Sequence, residues 1–288
     1  MKLKIKMKNT TILFSFLFFL SSQLVFSQEI RTIASLPNSI EESSGLTFYN
    51  DSIFITHNDS GDKPMLYFIN LKGKLVHQVL VENANNVDWE DICSDGKGHL
   101  YIGDIGNNKN DRRDLKIYKV ASANLLTKQK VMAEVISVSY FDQNAFPPAD
   151  SLQNFDAEGL AFHQDSLLIF TKCRANPFNG YSFCYKIPTI PGTYKVHKNF
   201  QLYIGNNGFT KDAVTSASIC KNSLYLLTYN RFLIYQLVQG KWTFKEQHYT
   251  KPYSQKEAIT TKDNRTIYLS DEVQKIVGGG KLYKMEVK

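Results

Sequence analysis

The sequence predicts an all-β fold, a single closed ring of four-stranded sheets, and three observations carry that prediction. One short unit, an apolar strand entered through polar residues, a turn and a second alternating strand, recurs five times. Its copies begin at Glu42-Ser43-Ser44-Gly45-Leu46, Asp88-Trp89-Glu90-Asp91-Ile92, Asp156-Ala157-Glu158-Gly159-Leu160, Val214 to Ile219 and Lys256-Glu257-Ala258-Ile259. Strand-like segments also come in groups of four, except that the last group is one short while a lone segment, Arg31 to Leu36, precedes the first. A sheet completed by the opposite chain end closes a β-propeller, and closure hides the sheet edges that an open array would expose.

The groups follow in order. The first is Gly45–Phe48, Ser52–His57, Met65–Asn70 and Leu75–Val81; the second is Glu90–Cys93, Leu100–Gly103, Leu115–Val120 and Glu134–Phe141. The third is Glu158–Phe162, Ser166–Thr171, Ser182–Ile187 and Val196–Tyr203; the fourth is Thr215–Cys220, Leu224–Thr228, Leu233–Leu237 and Trp242–Gln247. The fifth is Glu257–Thr260, Thr266–Ser270 and Leu282–Val287, to be completed by Arg31–Leu36. Intervals from Leu46 to Ile92, Leu160, Ile219 and Ile259 are 46, 68, 59 and 40 residues, against the roughly 40–50 of one blade. The long intervals contain loops at Asp142–Phe155 and Arg174–Tyr181, and a sixth blade would have to come from Cys93–Leu160.

Residues 1–27 read as a signal peptide: a basic stretch with Lys2, Lys4, Lys6 and Lys8, an apolar run from Ile12 to Leu20, and a cleavage site after Ser27. The run is short for a membrane span, and no later segment reaches the ~18 apolar residues that a span needs. The propeller domain is then residues 28–288, exported to the periplasm or beyond. Of 34 basic residues four lie in the signal, so the remainder carries 30 against 27 acidic, net +3. No basic run with interleaved aromatics points to nucleic acid. Export permits disulfides. Cys173 and Cys184 flank one connection, where a cross-strand bond could form, whereas Cys93 and Cys220 lie on non-adjacent inner strands and should be free thiols.

In such a ring, residues before each first strand and after each second strand converge on one mouth of the central channel. Aligned on the apolar residues Leu46, Ile92, Leu160, Ile219 and Ile259, the positions two earlier are Ser44, Glu90, Glu158, Ala217 and Glu257. Four earlier come Glu42, Asp88, Asp156, Thr215 and Gln255; the second strands exit at His57, Asp104, Lys172, Tyr229 and Asp271, with Asn58, Asn107, Arg174, Arg231 and Glu272 close behind. So many carboxylates in one place need counter-charge. A hard divalent cation such as Ca²⁺ would supply it, with Glu42, Glu90, Asp104, Glu158, Glu257 and Asp271 as candidate ligands. Lys172, Arg174 and Arg231 could instead neutralise the ring, and the acids could also serve only to latch loops. The mouth, with His57, Asn58 and Tyr229 added, would take a metal, a small molecule or a protein partner.

Other features are blander. Trp89 reads as packing between blades. His57-Asn58-Asp59-Ser60-Gly61-Asp62 has turn composition. Asp104-Ile105-Gly106-Asn107-Asn108 lacks the closing Glu of an EF-hand. No Gly-x-Ser-x-Gly elbow and no Cys-x-x-Cys pair is present.

Together, Glu42-Ser43-Ser44-Gly45-Leu46, His57 to Asp62, Asp88-Trp89-Glu90-Asp91, Gly103-Asp104-Ile105-Gly106-Asn107 and Glu158-Gly159-Leu160 resemble a group of exported bacterial propellers. That group is similar to the SdiA-regulated and phytase-like propellers, and more distantly to NHL and gluconolactonase-type propellers. The resemblance implies six blades more often than five. Its gluconolactonase-type members imply a catalytic divalent cation held by Glu, Asn and Asp, for which Glu42, Asn58, Asp104 and Asp271 are chemically suited. Two functions follow as expectations: an exported binding propeller, or a metal-dependent hydrolase of a lactone or phosphoester.

Overall fold

A computed structural model describes residues 30–274 and 278–287; the signal-peptide expectation lies outside them. The chain forms a five-bladed β-propeller of antiparallel four-stranded blades, and in blades 1 to 4 the strands follow chain order from the channel outward. Blade 1 is Ser43–Phe48, Ile53–Asn58, Met65–Asn70 and Leu75–Val81; blade 2 is Trp89–Ser94, His99–Asp104, Lys116–Ala121 and Glu134–Tyr140. Blade 3 is Asp156–His163, Ser166–Lys172, Tyr181–Pro188 and Lys198–Tyr203; blade 4 is Val214–Cys220, Ser223–Thr228, Arg231–Val238 and Lys241–Tyr249. Blade 5 joins Lys256–Thr261, Thr266–Asp271 and Lys281–Glu286 to the N-terminal Arg31–Ser35, which pairs antiparallel with Lys281–Glu286 as the strand count requires. The inner strands pack in a complete ring, with blade 5 against blade 1.

The long intervals hold no sixth blade. They contain two short strands that run back to the preceding sheet. Lys130–Val131 adds parallel to the outer edge of blade 1, and Gly192–Val196 adds parallel to the outer edge of blade 2. Val196, expected to open the outer strand of blade 3, therefore belongs to the blade 2 sheet. Both additions cover an outer edge that would otherwise be open to pairing.

Five apolar clusters fill the gaps between adjacent blades. Alternation along each strand sends one side chain to each neighbouring gap, so every blade is buried on both faces. Trp89 is fully buried between blades 1 and 2 against Ile55, Phe68 and Tyr118, and its indole nitrogen donates to the Asn85 carbonyl at 3.0 Å.

The expected Cys173–Cys184 bond is absent: all four cysteines are free and buried. Cys184 pairs in register with Phe170 and points into the apolar gap between blades 3 and 4, whereas the Cys173 thiol donates to Asn179 Oδ1 at 3.2 Å. The two side chains thus serve different environments. Cys93 and Cys220 are buried thiols, as their positions implied.

Candidate functional site

One backbone device builds the channel mouth. Every inner strand carries a β-bulge at the same place, and the extra residue is Gly45, Glu90, Glu158, Thr215 or Glu257 in blades 1 to 5. A bulge takes one residue out of the ladder and re-aims its side chain. Three of the five bulges carry glutamate, and all three side chains are at least nine-tenths buried. Gly45 has φ +71°, and a β-carbon there would press on the backbone of Asp91 and Ile92, so blade 1 offers no side chain in this slot. The Thr215 hydroxyl donates to the Lys256 carbonyl at 2.7 Å and latches blade 4 to blade 5.

The second-strand exits divide by parity. His57, Asp104 and Asp271 lie directly opposite the residue before the bulge, whereas in blades 3 and 4 Thr171 and Thr228 hold that position. Lys172 and Tyr229 are one residue further on, and one residue reverses the face. Glu272, one beyond Asp271, shares their column. The aligned exits of the sequence reading therefore mixed two faces.

This parity keeps Asp104 and Asp271 out of the acidic cluster. Asp104 accepts from the Asp88 amide and from Arg112, both at 3.0 Å. Asp271 accepts from the Lys281 amide at 2.7 Å and the Tyr283 hydroxyl at 2.5 Å. His57 is fully buried, edge-on to Trp89 at 5.5 Å between ring centroids, and its Nδ1 donates to the Asn58 carbonyl at 3.0 Å. Burial lowers the His57 imidazole to about 4 and keeps it neutral. Asn58 ties Ser39 and Asp62 together at 3.0 and 2.6 Å. Glu42 is exposed, and it lines a polar groove beside blade 1 with Asn58 and Asp62. Arg231 pairs with Asp212 at 2.7 Å, away from the acids.

The remaining candidates converge. Two sets of carboxylates place oxygen atoms within 4.8 Å of one another: Asp59, Asp88 and Glu90, and Glu90, Asp156 and Glu158. Glu90 belongs to both. Asp59 follows the second strand of blade 1, inside the run whose composition reads as a turn; nothing in its spacing marked it out. Gly106 lets the loop after blade 2's second strand lie directly over the Glu90 and Asp88 carboxylates, where a β-carbon would collide. Asp156 is held by the Asn107 amide at 2.7 Å and Arg174 Nε at 2.6 Å.

The basic groups lie to one side. Lys172 Nζ is 2.9 Å from Glu158 and above the Tyr229 ring, 5.1 Å from its centroid; Arg174 stacks over Phe209 at 4.9 Å. Burial alone would lower Lys172, but Glu158 and Glu257 outweigh it and hold the ammonium well above its usual range. The strongest influences on Glu90 all act the other way. Burial, then Glu158, Asp59, Asp88 and Asp156 in turn, all push it well above the usual carboxylate range. Burial is also the main cause that raises Asp88 to about 7, Asp59 to about 6 and Glu257 to about 7, and that raises Glu272, with help from Glu257, to about 9.

No protein-family model matches the chain, and a comparison with curated proteins gives no match either. Solved structures do match in fold. Glutaminyl cyclase from Myxococcus xanthus aligns with a TM-score of 0.55 at 12% identity, over 90% of this chain and 96% of that one. The PQQ-bound aldose sugar dehydrogenase from Streptomyces coelicolor aligns with a TM-score of 0.53 at 9% identity, over 90% of this chain and 98% of that one. At such identities the likeness is one of fold: the chain is a β-propeller protein.

Proposed function

We propose that the protein is an exported propeller that binds a divalent cation at the acidic mouth of its channel, leaving coordination positions for a small ligand or partner. One observation carries this reading: Glu90 is buried at the point shared by two carboxylate triads, and the groups that act most strongly on it are all acidic or desolvating. Such a site must take up protons or a cation. The donors are all carboxylate oxygens, which suit a hard ion such as Ca²⁺ rather than a thiolate- or imidazole-seeking metal. The resemblance of its motifs to exported bacterial propellers similar to the SdiA-regulated and phytase-like families is consistent with export, and the more distant likeness to gluconolactonase-type propellers is consistent with a cation at the mouth. A second reading, hydrolysis of a lactone or phosphoester by a metal-bound water, draws on Lys172 and Arg174, cations placed beside the acids where developing negative charge could be met.

The test is thermal unfolding of metal-stripped protein with Ca²⁺, Mg²⁺ or chelator. Binding to the native state raises the melting temperature by mass action. Glu90→Gln and Glu158→Gln should blunt the response at nearly constant side-chain volume. Melting indifferent to every cation, in protein shown to be metal-free, would remove the proposal.

A further inference from the structure

The acids at the mouth fall into two groups, and the cation proposed above serves only one. Arg174 pairs with Asp156 at 2.6 Å and Lys172 with Glu158 at 2.9 Å, and Glu90 lies among these residues. Glu257 and Glu272, both from blade 5, belong to neither triad. Glu257 is 4% exposed and Glu272 6%; Glu257 is the strongest charged neighbour of Glu272, and Lys172 acts on both. Lys172 acts on this pair but is ion-paired with Glu158 at 2.9 Å. Glu257 Oε2 has no hydrogen-bond partner among the described residues, although it is buried. Leaving a buried carboxylate oxygen without a donor costs free energy that a ligand donor would recover. Beside it stands Tyr229, half-buried, with Phe209 near by on the same rim.

The geometry points to a second recognition element at the mouth: Glu257 and Glu272 bind the protonated amine of a small organic ligand. This extends the proposed function, because the same ligand could offer an oxygen to a cation at Glu90. An ammonium fits this carboxylate pair for three reasons. It brings only donors, which an unpartnered carboxylate oxygen requires. It adds positive charge beyond that of Lys172, whose ammonium is ion-paired with Glu158. It is also compact, as a carboxylate set in a strand bulge requires.

The probe is ethanolamine, with 1,2-ethanediol as the uncharged counterpart of the same size. Saturation-transfer NMR at about 0.15 M salt, where loose surface attraction is screened, reads binding to chelator-treated protein. Ethanolamine should bind in the millimolar range, about −4 kcal/mol, and ethanediol should not. Glu257→Gln and Glu272→Gln, each shown folded by its circular dichroism melt, should weaken ethanolamine at least tenfold, whereas Glu134→Gln, exposed on the outer strand of blade 2, should leave it within twofold. Equal binding of the diol, or full binding by both blade 5 variants, would overturn the inference, as would no binding to the wild type. Because the measurement is made in chelator, it stands apart from the calcium result. Ethanolamine binding with no calcium stabilisation would sink the metal reading alone, and the reverse outcome would sink the amine alone.

Discussion

Asp91 of blade 2 accepts a hydrogen bond at 3.0 Å from the hydroxyl of Ser216 in blade 4, a residue 125 positions away. The same carboxylate oxygen accepts the amides of Leu160 in blade 3 at 2.9 Å and Ala217 in blade 4 at 3.1 Å. The other oxygen takes the Ile92 amide at 2.9 Å. Ser216 in turn accepts the Ile259 amide of blade 5 at 3.3 Å, so the span crosses the channel. One side chain thus joins three inner strands directly beneath the Glu90 bulge. It bridges the inner strands across the channel.

The first prediction follows from that junction. Asp91→Ala leaves two buried amides and a hydroxyl from other blades without an acceptor, at about 1–3 kcal/mol each. The expected loss in urea unfolding is about 3 kcal/mol or more, with part recovered in Asp91→Asn, which keeps one acceptor oxygen. A variant within about 0.5 kcal/mol of wild type would show that water takes over the role.

The ring of blades was legible because period-two alternation and turn composition repeat with the blade, and because the strand count was short at one end and in excess at the other. Five glutamate, aspartate and lysine positions of the mouth, Asp88, Glu90, Asp156, Glu158 and Lys172, were legible for the same reason. Bulges were not. In blades 1 and 4 the residue two beyond the bulge is Thr47 or Ala217 rather than a large aliphatic, so alignment on Leu46 and Ile219 put Ser44 and Ala217 where Gly45 and Thr215 stand. Asp104 and Asp271 have the right chemistry but the wrong parity, and parity depends on pairing. Asp59 was hidden because it is held in place by tertiary contacts, such as the Asn86 amide nitrogen donating to its carbonyl at 2.7 Å.

Gly106→Ala tests whether the close approach over Glu90 and Asp88 matters. The added methyl must displace both carboxylates or lift the loop. A stability loss of about 1–3 kcal/mol is expected from overpacking. The calcium response should fall with it, even though no ligand has been removed. Unchanged calcium stabilisation in a folded Gly106→Ala protein would mean that neither triad holds the ion.

Removal of residues up to Ser35 tests the closure. Arg31–Ser35 covers the outer edge of Lys281–Glu286, and Ile33 and Ala34 pack on the cluster between blades 5 and 1. Without them blade 5 has three strands and an open edge. Light scattering should report aggregation, and the melt should broaden. A truncated chain that melts sharply at the wild-type temperature would show that the fold does not depend on this closure.

The last prediction concerns pH in the metal-free state. Asp59 rises to about 6, Asp88 and Glu257 to about 7, and Glu272 to about 9, against ordinary values of 3.8 for aspartate and 4.5 for glutamate. A raised folded-state value means that the native protein binds these protons more tightly than the unfolded chain does. Between the two values the native state holds more protons, so unfolding free energy falls as pH rises. Chelator-treated protein should therefore lose stability from about pH 4 upward, most steeply to about 7 and more gently to about 9, at roughly 1.4 kcal/mol per unit for each group. A bound divalent ion replaces those protons. Calcium stabilisation should therefore be small at about pH 5 and grow toward about pH 8, because fewer protons must be displaced. Melting curves across this range, with chelator and with Ca²⁺, provide the check. A chelated protein that becomes more stable as pH rises would mean that these acids are already ionised and matched by protein donors, with no charge left for a cation to satisfy.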